Sequence, residues 1–181
     1  DSPEVFHYRN KITLQVEKGK IGFYHVKTNQ LVPIQYCPLA KKKTNEVIDL
    51  IETKVSLDNV HQIVIKEFQE KVMVQVKGKI NEKEWISILK DKVDSLYLYN
   101  QLIYGKAKLE EILDKYHYFI SPDSFFQVNH EQTIRLYQQV KEYLGSPQKN
   151  VLDLYCGMAS IGIFVSDVSN EITGIELNSS S

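Results

Sequence analysis

The sequence predicts an α+β domain over residues 1–120, followed by the start of an α/β domain over residues 121–181. Two observations predict it. Up to residue 120, paired alternating segments and two helical segments follow the order β-β-α-β-β-α-β, which suits an α+β architecture. From residue 151 the pattern changes to a single β-turn-α-β unit, VLDLYCGMASIGIFVSDVSNEITGIELN. The chain ends at Ser181, so this second sheet is expected to be begun here and not finished.

The first elements follow from period-two alternation. Residues 11–16 (KITLQV) and 20–26 (KIGFYHV) alternate apolar and polar around Glu17 to Gly19, which predicts a hairpin with one buried face. Pro38 is placed to open a helix running to about Thr53, with Val47, Ile48, Ile51 and Val55 on one stripe. Residues 61–68 and 71–78 form a second alternating pair around Gln69-Glu70. Asn81 then caps a short helix, Glu84 takes the capping-box position, and Trp85, Leu89 and Val93 share a face. Residues 95–104 (SLYLYNQLIY), 108–113 and 116–120 read as three further strands.

Residues 121–128 (SPDSFFQV) bridge to the second part. Asn129 and Gln132 form a capping box for a helix over 130–144, with Ile134, Tyr137, Val140 and Leu144 facing inward. Gly145 and Pro147 stop it. An apolar run, Val151-Leu152, then leads through Asp153 into the turn Gly157-Met158-Ala159. A helix-like segment, Ile161 to Val165, and a second run, Ile172 to Ile175, end in Glu176. The serines 179–181 read as a disordered end.

Residues 157–162 fit a Gly-x-Gly-x-x-Gly pattern with Ala159 in the middle. Such a turn lets a ligand approach the backbone and aims helix N-terminal N–H groups at it. Glu176 lies 19 positions after Gly157, close to the roughly 20-residue spacing of a carboxylate that accepts hydrogen bonds from ribose hydroxyls. Asp153 on the approach to the turn would repel a pyrophosphate. A cationic sulfonium ligand carrying an amino group would tolerate it, so S-adenosylmethionine suits the pattern better than a dinucleotide.

Composition excludes other classes. With 43% hydrophobic and 25% charged residues and a mean hydropathy of −0.30, the chain is expected to be globular and soluble. No apolar run reaches the length of a transmembrane helix, and the polar start DSPEVFHYRN is not a signal peptide. Cys37 and Cys156 make no disulfide framework and suit a reducing cytoplasm. The net charge of −1 leaves no global footprint for nucleic acid. Basic clusters at Arg9/Lys11, Lys18/Lys20 and Lys41-Lys42-Lys43 are local. The five histidines show no metal-ligand spacing, so no metal site is expected.

SPDSFFQVN (121–129) and VLDLYCGMASIG (151–162), about 21 residues apart, resemble the RNA uracil-5-methyltransferase family. Tyr8-Arg9-Asn10-Lys11 and Cys37-Pro38-Leu39 are similar to that family's central domain. The resemblance implies a class I (Rossmann-like) methyltransferase domain joined to an α+β central domain that helps bind RNA. It implies methyl transfer from S-adenosylmethionine to C5 of a uridine in rRNA or tRNA.

Carried over residue by residue, Gln127, Tyr155, Gly157, Ser160 and Glu176 fall on the family's cofactor contacts. Glu176 would hold the ribose hydroxyls, and Tyr155 and the backbone by Gly157 would line the methionine and ribose side. Ser160 stands where the family more often has Asn or Thr, and Ala159 replaces the usual second glycine. The family attacks uracil C6 with a cysteine thiolate and removes the C5 proton with a carboxylate. Both groups lie C-terminal to the segment present, so no catalytic residue is expected here. Cys156 sits inside the cofactor turn and is expected to pack as a small apolar residue. Cys37 matches a cluster ligand of iron–sulfur members of the family, but one cysteine cannot hold a cluster that needs four. A cluster is therefore an expectation for a longer parent only. The unfinished sheet could also promote self-association. Two other readings stand beside the enzyme: a non-catalytic RNA-binding or assembly module, and a dinucleotide-dependent oxidoreductase.

Overall fold

A computed structural model describes residues 3–145 and 147–177 of the chain; the serine tail lies outside them. The described residues divide into two compact units, Glu4–Leu109 and the residues from Glu110 onward.

In the first unit, β1 (Lys11–Glu17) and β2 (Lys20–Tyr24) form the expected antiparallel hairpin. A short β3 (Leu31–Pro33), not foreseen in the sequence, pairs with β2. It carries three residues, too few for alternation to show. Helix α1 (Lys42–Lys54) starts four residues later than Pro38 suggests. The physical reason is Asn45. Its side-chain amide donates to the carbonyls of Cys37, Ala40 and Lys41, and its oxygen accepts from the Cys37 N–H. These bonds bind residues 37–41 as a turn before the helix begins.

Strands β4 (Val60–Phe68) and β5 (Lys71–Gly78) form the second hairpin. Its turn residues Gln69 and Glu70 both take positive φ, 45° and 61°, the mirror-image geometry that matches strand twist. Helix α2 (Glu82–Leu89) is capped by the Asn81 side chain, which accepts from the Glu84 N–H. The Glu84 carboxylate accepts from the Ser56 N–H. The run over 95–104, expected as one strand, is a hairpin of β6 (Ser95–Leu98) and β7 (Gln101–Gly105). It turns at Tyr99, whose φ is 52°. The buried Gln75 amide donates to the Tyr99 carbonyl and the Asn100 side chain, which fixes the turn from a neighbouring strand.

These strands make a seven-stranded sheet in the order β3-β2-β1-β4-β5-β6-β7, with β5 and β6 parallel. The parallel pair is the consequence of α2 acting as a crossover between them. Val47, Ile48 and Ile51 of α1 and Trp85 and Leu89 of α2 join Ile12, Leu14, Ile63, Ile65, Val74 and Val76 in one core.

The second unit starts with β8 (Leu109–Leu113) and β9 (Tyr116–Ile120), a separate two-stranded sheet. The compact units divide between Leu109 and Glu110. Tyr118 of β9 packs on Phe126, their ring centroids 5.5 Å apart. Helix α3 (His130–Leu144) is capped by Asn129, which accepts from the Gln132 N–H, and ends at Gly145 with φ 67°. Thr133 and Tyr137 are its buried residues, while Ile134, Val140 and Leu144 are only half-buried. Strand β10 (Gln148–Leu154) runs parallel to β11 (Ser169–Ile175) in the register Val151↔Ile172. Helix α4 (Ser160–Phe164) and a 3-10 turn, Ser166–Val168, make the crossover. Lys141 and Lys115 both donate to Asp167 in that turn, at 2.6 and 3.2 Å.

The two units should differ in local stability. Strands β4 and β5 are buried along most of their length, whereas Leu152, Leu154 and Ile175 of the parallel pair are exposed. Small isolated sheets are marginal. In a dilute, verified monomer, amides of 151–155 and 172–176 are expected to exchange faster than those of 61–78. Equal protection would show that the parallel pair is stable alone.

A second test concerns Glu67 on β4. Its buried carboxylate accepts from both the N–H and the hydroxyl of Thr44, in the first turn of α1. It supplies the helix cap that Lys41 does not. Glu67→Ala should destabilise the chain by about 2–3 kcal/mol, the cost of stranding buried donors. The readout is a urea titration followed by the lone tryptophan, Trp85, which is fully buried. A midpoint equal to that of the unsubstituted chain would remove the capping role.

Candidate functional site: the glycine turn after β10

Five residues between the end of β10 at Leu154 and the start of α4 at Ser160 reverse the chain. Three of them, Tyr155, Gly157 and Ala159, adopt left-handed φ of 57°, 55° and 56°. Only glycine does this without a steric cost, so Tyr155 and Ala159 each carry about 1–2 kcal/mol of strain. The position where the sequence pattern asks for a second glycine is thus one that needs glycine-like backbone, and Ala159 adopts it.

The turn is held by named bonds. The Cys156 N–H donates to the Ile175 carbonyl at 3.2 Å, which extends the parallel ladder by one rung. The Ala159 N–H donates back to the Cys156 carbonyl at 2.8 Å. Two carboxylates then complete it. Glu176 Oε2 accepts from the Gly157 N–H at 2.9 Å. Asp153 Oδ2 accepts from the Gly162 N–H at 3.2 Å, in the first turn of α4.

Glu176 and Gly157, paired from sequence spacing, are in direct contact. Around Gly157 the space is open: a Cβ built there meets nothing within 4 Å. Tyr155 beside it is 90% exposed. A ligand can therefore approach the backbone at this point, at the carboxyl ends of two parallel strands, where α/β sheets place their ligands.

Ser160 is engaged by two tyrosines. Its Oγ lies 2.7 Å from the Tyr137 hydroxyl, and its carbonyl accepts from the Tyr118 hydroxyl at 3.1 Å. Burial pushes both phenols up from their ordinary value, so both stay protonated and able to donate. Ser160 is thereby anchored from below the turn. Gln127 stands on another segment, half-buried between Phe126, packed on Tyr118, and the cap residue Asn129. The part played by Asp153 was not legible in the motif, which suggested an effect on ligand charge. Nothing in the local pattern marks Tyr118 and Tyr137, since buried aromatics look like core.

The half-buried Cys156 thiol lies 3.8 Å from the Gly157 carbonyl. A Cβ on Gly174 of β11 would lie 2.9 Å from its Sγ. A cleft of about 350 Å³ between α4 and β11, lined by Asp153, Gly162, Ile163, Ile172 and Gly174, excludes Gly157 and Glu176. Ala159 of the turn also lines it. Cys37, in the first unit, is a buried free thiol. Among the described residues no helix is long and apolar enough to cross a membrane.

No family profile matches the chain. The chain is 30% identical over 203 residues to the tRNA (uracil(54)-C(5))-methyltransferase of Pyrococcus abyssi, covering 98% of this chain and 50% of that protein. The Pyrococcus horikoshii tRNA (uracil(54)-C(5))-methyltransferase is 29% identical, with the same coverage. The crystal structure of the Pyrococcus abyssi enzyme in complex with S-adenosyl-L-homocysteine superimposes with a TM-score of 0.80. It shares 27% identity and covers 98% of this chain and 51% of that one.

This chain is a relative of the RNA uracil-5-methyltransferases. It spans about half the length of the curated relatives it matches. Its fold is methyltransferase-like. An uncharacterized RNA methyltransferase of Clostridium acetobutylicum, 26% identical over 211 residues, matches in the same way, with 95% and 46% covered.

The brace on α4 gives a direct test. Asp153→Ala removes the acceptor of the Gly162 N–H, and about 1 kcal/mol of local stability should go with it. Amides of 160–164 are expected to exchange several-fold faster while those of 130–144 do not change. Unchanged exchange over 160–164 would show that the turn holds without the carboxylate.

Proposed function

We propose that the chain is part of an S-adenosylmethionine-dependent RNA methyltransferase that methylates C5 of a uridine in rRNA or tRNA. The unit Glu4–Leu109 is read as a central α+β domain that contacts RNA. The residues from Glu110 onward are read as the opening of a class I, Rossmann-like cofactor domain. The observation that carries this is the Glu176 carboxylate standing on the Gly157 N–H at the open end of β10 and β11. The kinship with tRNA uracil-C5 methyltransferases supports it.

When bound, S-adenosylmethionine supplies an electrophilic methyl group. The residues fit it. Gly157 leaves room for close approach, Glu176 offers an exposed carboxylate for ribose hydroxyls, and Tyr155 presents an exposed ring beside the turn. In this reading Gln127 contacts the cofactor from the segment before α3, and Ser160 contributes through the backbone of the α4 start, its hydroxyl being engaged by Tyr137. Two free thiols suit a cytoplasmic protein.

The proposal is tested by calorimetry on the complete protein, with S-adenosylhomocysteine against NAD. S-adenosylhomocysteine is expected to bind and NAD is not. Glu176→Ala should weaken the former about tenfold or more, since charge-assisted bonds contribute about 1.5–3 kcal/mol each. An unchanged dissociation constant would refute the ribose assignment. Cys156, tucked against Gly174, should be dispensable for chemistry: Cys156→Ser in the complete protein is expected to keep methylating uridine. The 181-residue chain alone is expected to transfer no methyl group to tRNA. Turnover dependent on Cys156 would overturn that assignment.

A further inference from the structure

Glu111 is a carboxylate buried without a place in the cofactor reading. It lies on β8 with 0% of its surface exposed. Its Oε1 accepts from the Ile112 N–H at 2.9 Å and stands 3.4 Å from Nδ1 of His130. A buried carboxylate is costly unless partnered, so a sequence places one there only where it holds something. His130 is the first residue of α3. The His130 ring nitrogen gives that buried carboxylate a polar partner at the start of α3.

We propose that Glu111 and His130 are positioning residues that fix the segment carrying Gln127; this rests on the reading of Gln127 as a cofactor contact. The segment is held at three points. At its start the Ser124 hydroxyl accepts from the Ser121 N–H at 3.1 Å, and Ser124 is buried. In the middle Phe126 is 4% exposed against Tyr118. At its end Asn129 caps α3 and His130 meets Glu111. Gln127 sits between the second and third anchors. The Glu111–His130 contact ties the start of α3 to β8 and so sets the direction in which Gln127 leaves the core.

A double-mutant cycle on the complete protein tests this, with S-adenosylhomocysteine affinity and the backbone order parameter of Gln127 as readouts. Gln127→Ala and Glu111→Gln are each expected to weaken binding, by about tenfold and threefold. The double variant should bind no worse than Gln127→Ala alone, because residues acting through one contact are not additive. In Glu111→Gln the order parameter of Gln127 should fall from about 0.85 toward 0.6. His130→Asn, which keeps a donor near Nδ1, should restore binding relative to His130→Ala, and this pair serves if Glu111→Gln does not fold. Additive losses, or an unchanged order parameter at Gln127, overturn the positioning role. No binding of S-adenosylhomocysteine by the unsubstituted protein would instead sink the cofactor reading, and the order parameter would still decide the pair.

Discussion

Two carboxylates hold the turn after β10, and the local geometry depends on them. Asp153 and Glu176 lie at the ends of neighbouring parallel strands, and each accepts a backbone N–H from the segment between. Parallel pairing puts the two strand ends side by side. That juxtaposition lets a residue before the turn and a residue after the crossover act on the same loop. Without such acceptors, a turn with left-handed Tyr155 and Ala159 would have little to offset its strain. The strain and the acceptors together keep the Gly157 backbone presented at an open surface.

The same device recurs elsewhere. Glu67 on β4 caps α1, Asp153 on β10 caps α4, and Glu111 on β8 meets the start of α3. In the first two, a strand-borne carboxylate accepts a first-turn N–H, where unsatisfied donors and the dipole favour negative charge; in the third it meets the side chain of the first helical residue. Local capping is weak in two of these helices: Lys41 and Ala159 make no side-chain cap bond. The helices are therefore specified by the sheets they pack against. In the cofactor reading this has a consequence. Asp153 orders the start of α4 without itself touching the ligand, whereas Glu176 both holds the Gly157 N–H and faces the ligand.

Much of this was legible in the chain. The alternation of 11–16 with 20–26 and of 61–68 with 71–78 predicted two pairings, and both form as antiparallel hairpins. The stripe Val47, Ile48, Ile51 is fully buried, as its spacing required. Asn81 and Asn129 cap the helices they precede. The spacing of Glu176 from Gly157 ended in a direct bond. These features are local, so residues near in sequence carry all the information.

The sequence by itself determined the periodicities, the caps and the motif SFFQVN followed by DLYCG, hence the class of the fold and its kinship. Tertiary structure alone decided the rest. Residues 95–104 bend into a hairpin because Gln75, on a neighbouring strand, binds Tyr99 and Asn100. Helix α1 starts at Lys42 because Asn45 folds back on residues 37–41. The β8–β9 pair groups with α3 and the glycine turn because Tyr118 packs on Phe126 and bonds the Ser160 carbonyl. Ser160, a contact by motif, turns its hydroxyl to Tyr137. In each case the deciding partner is distant in the chain or fixed by a folded turn, and a hydrogen bond to a buried group outweighs the local preference.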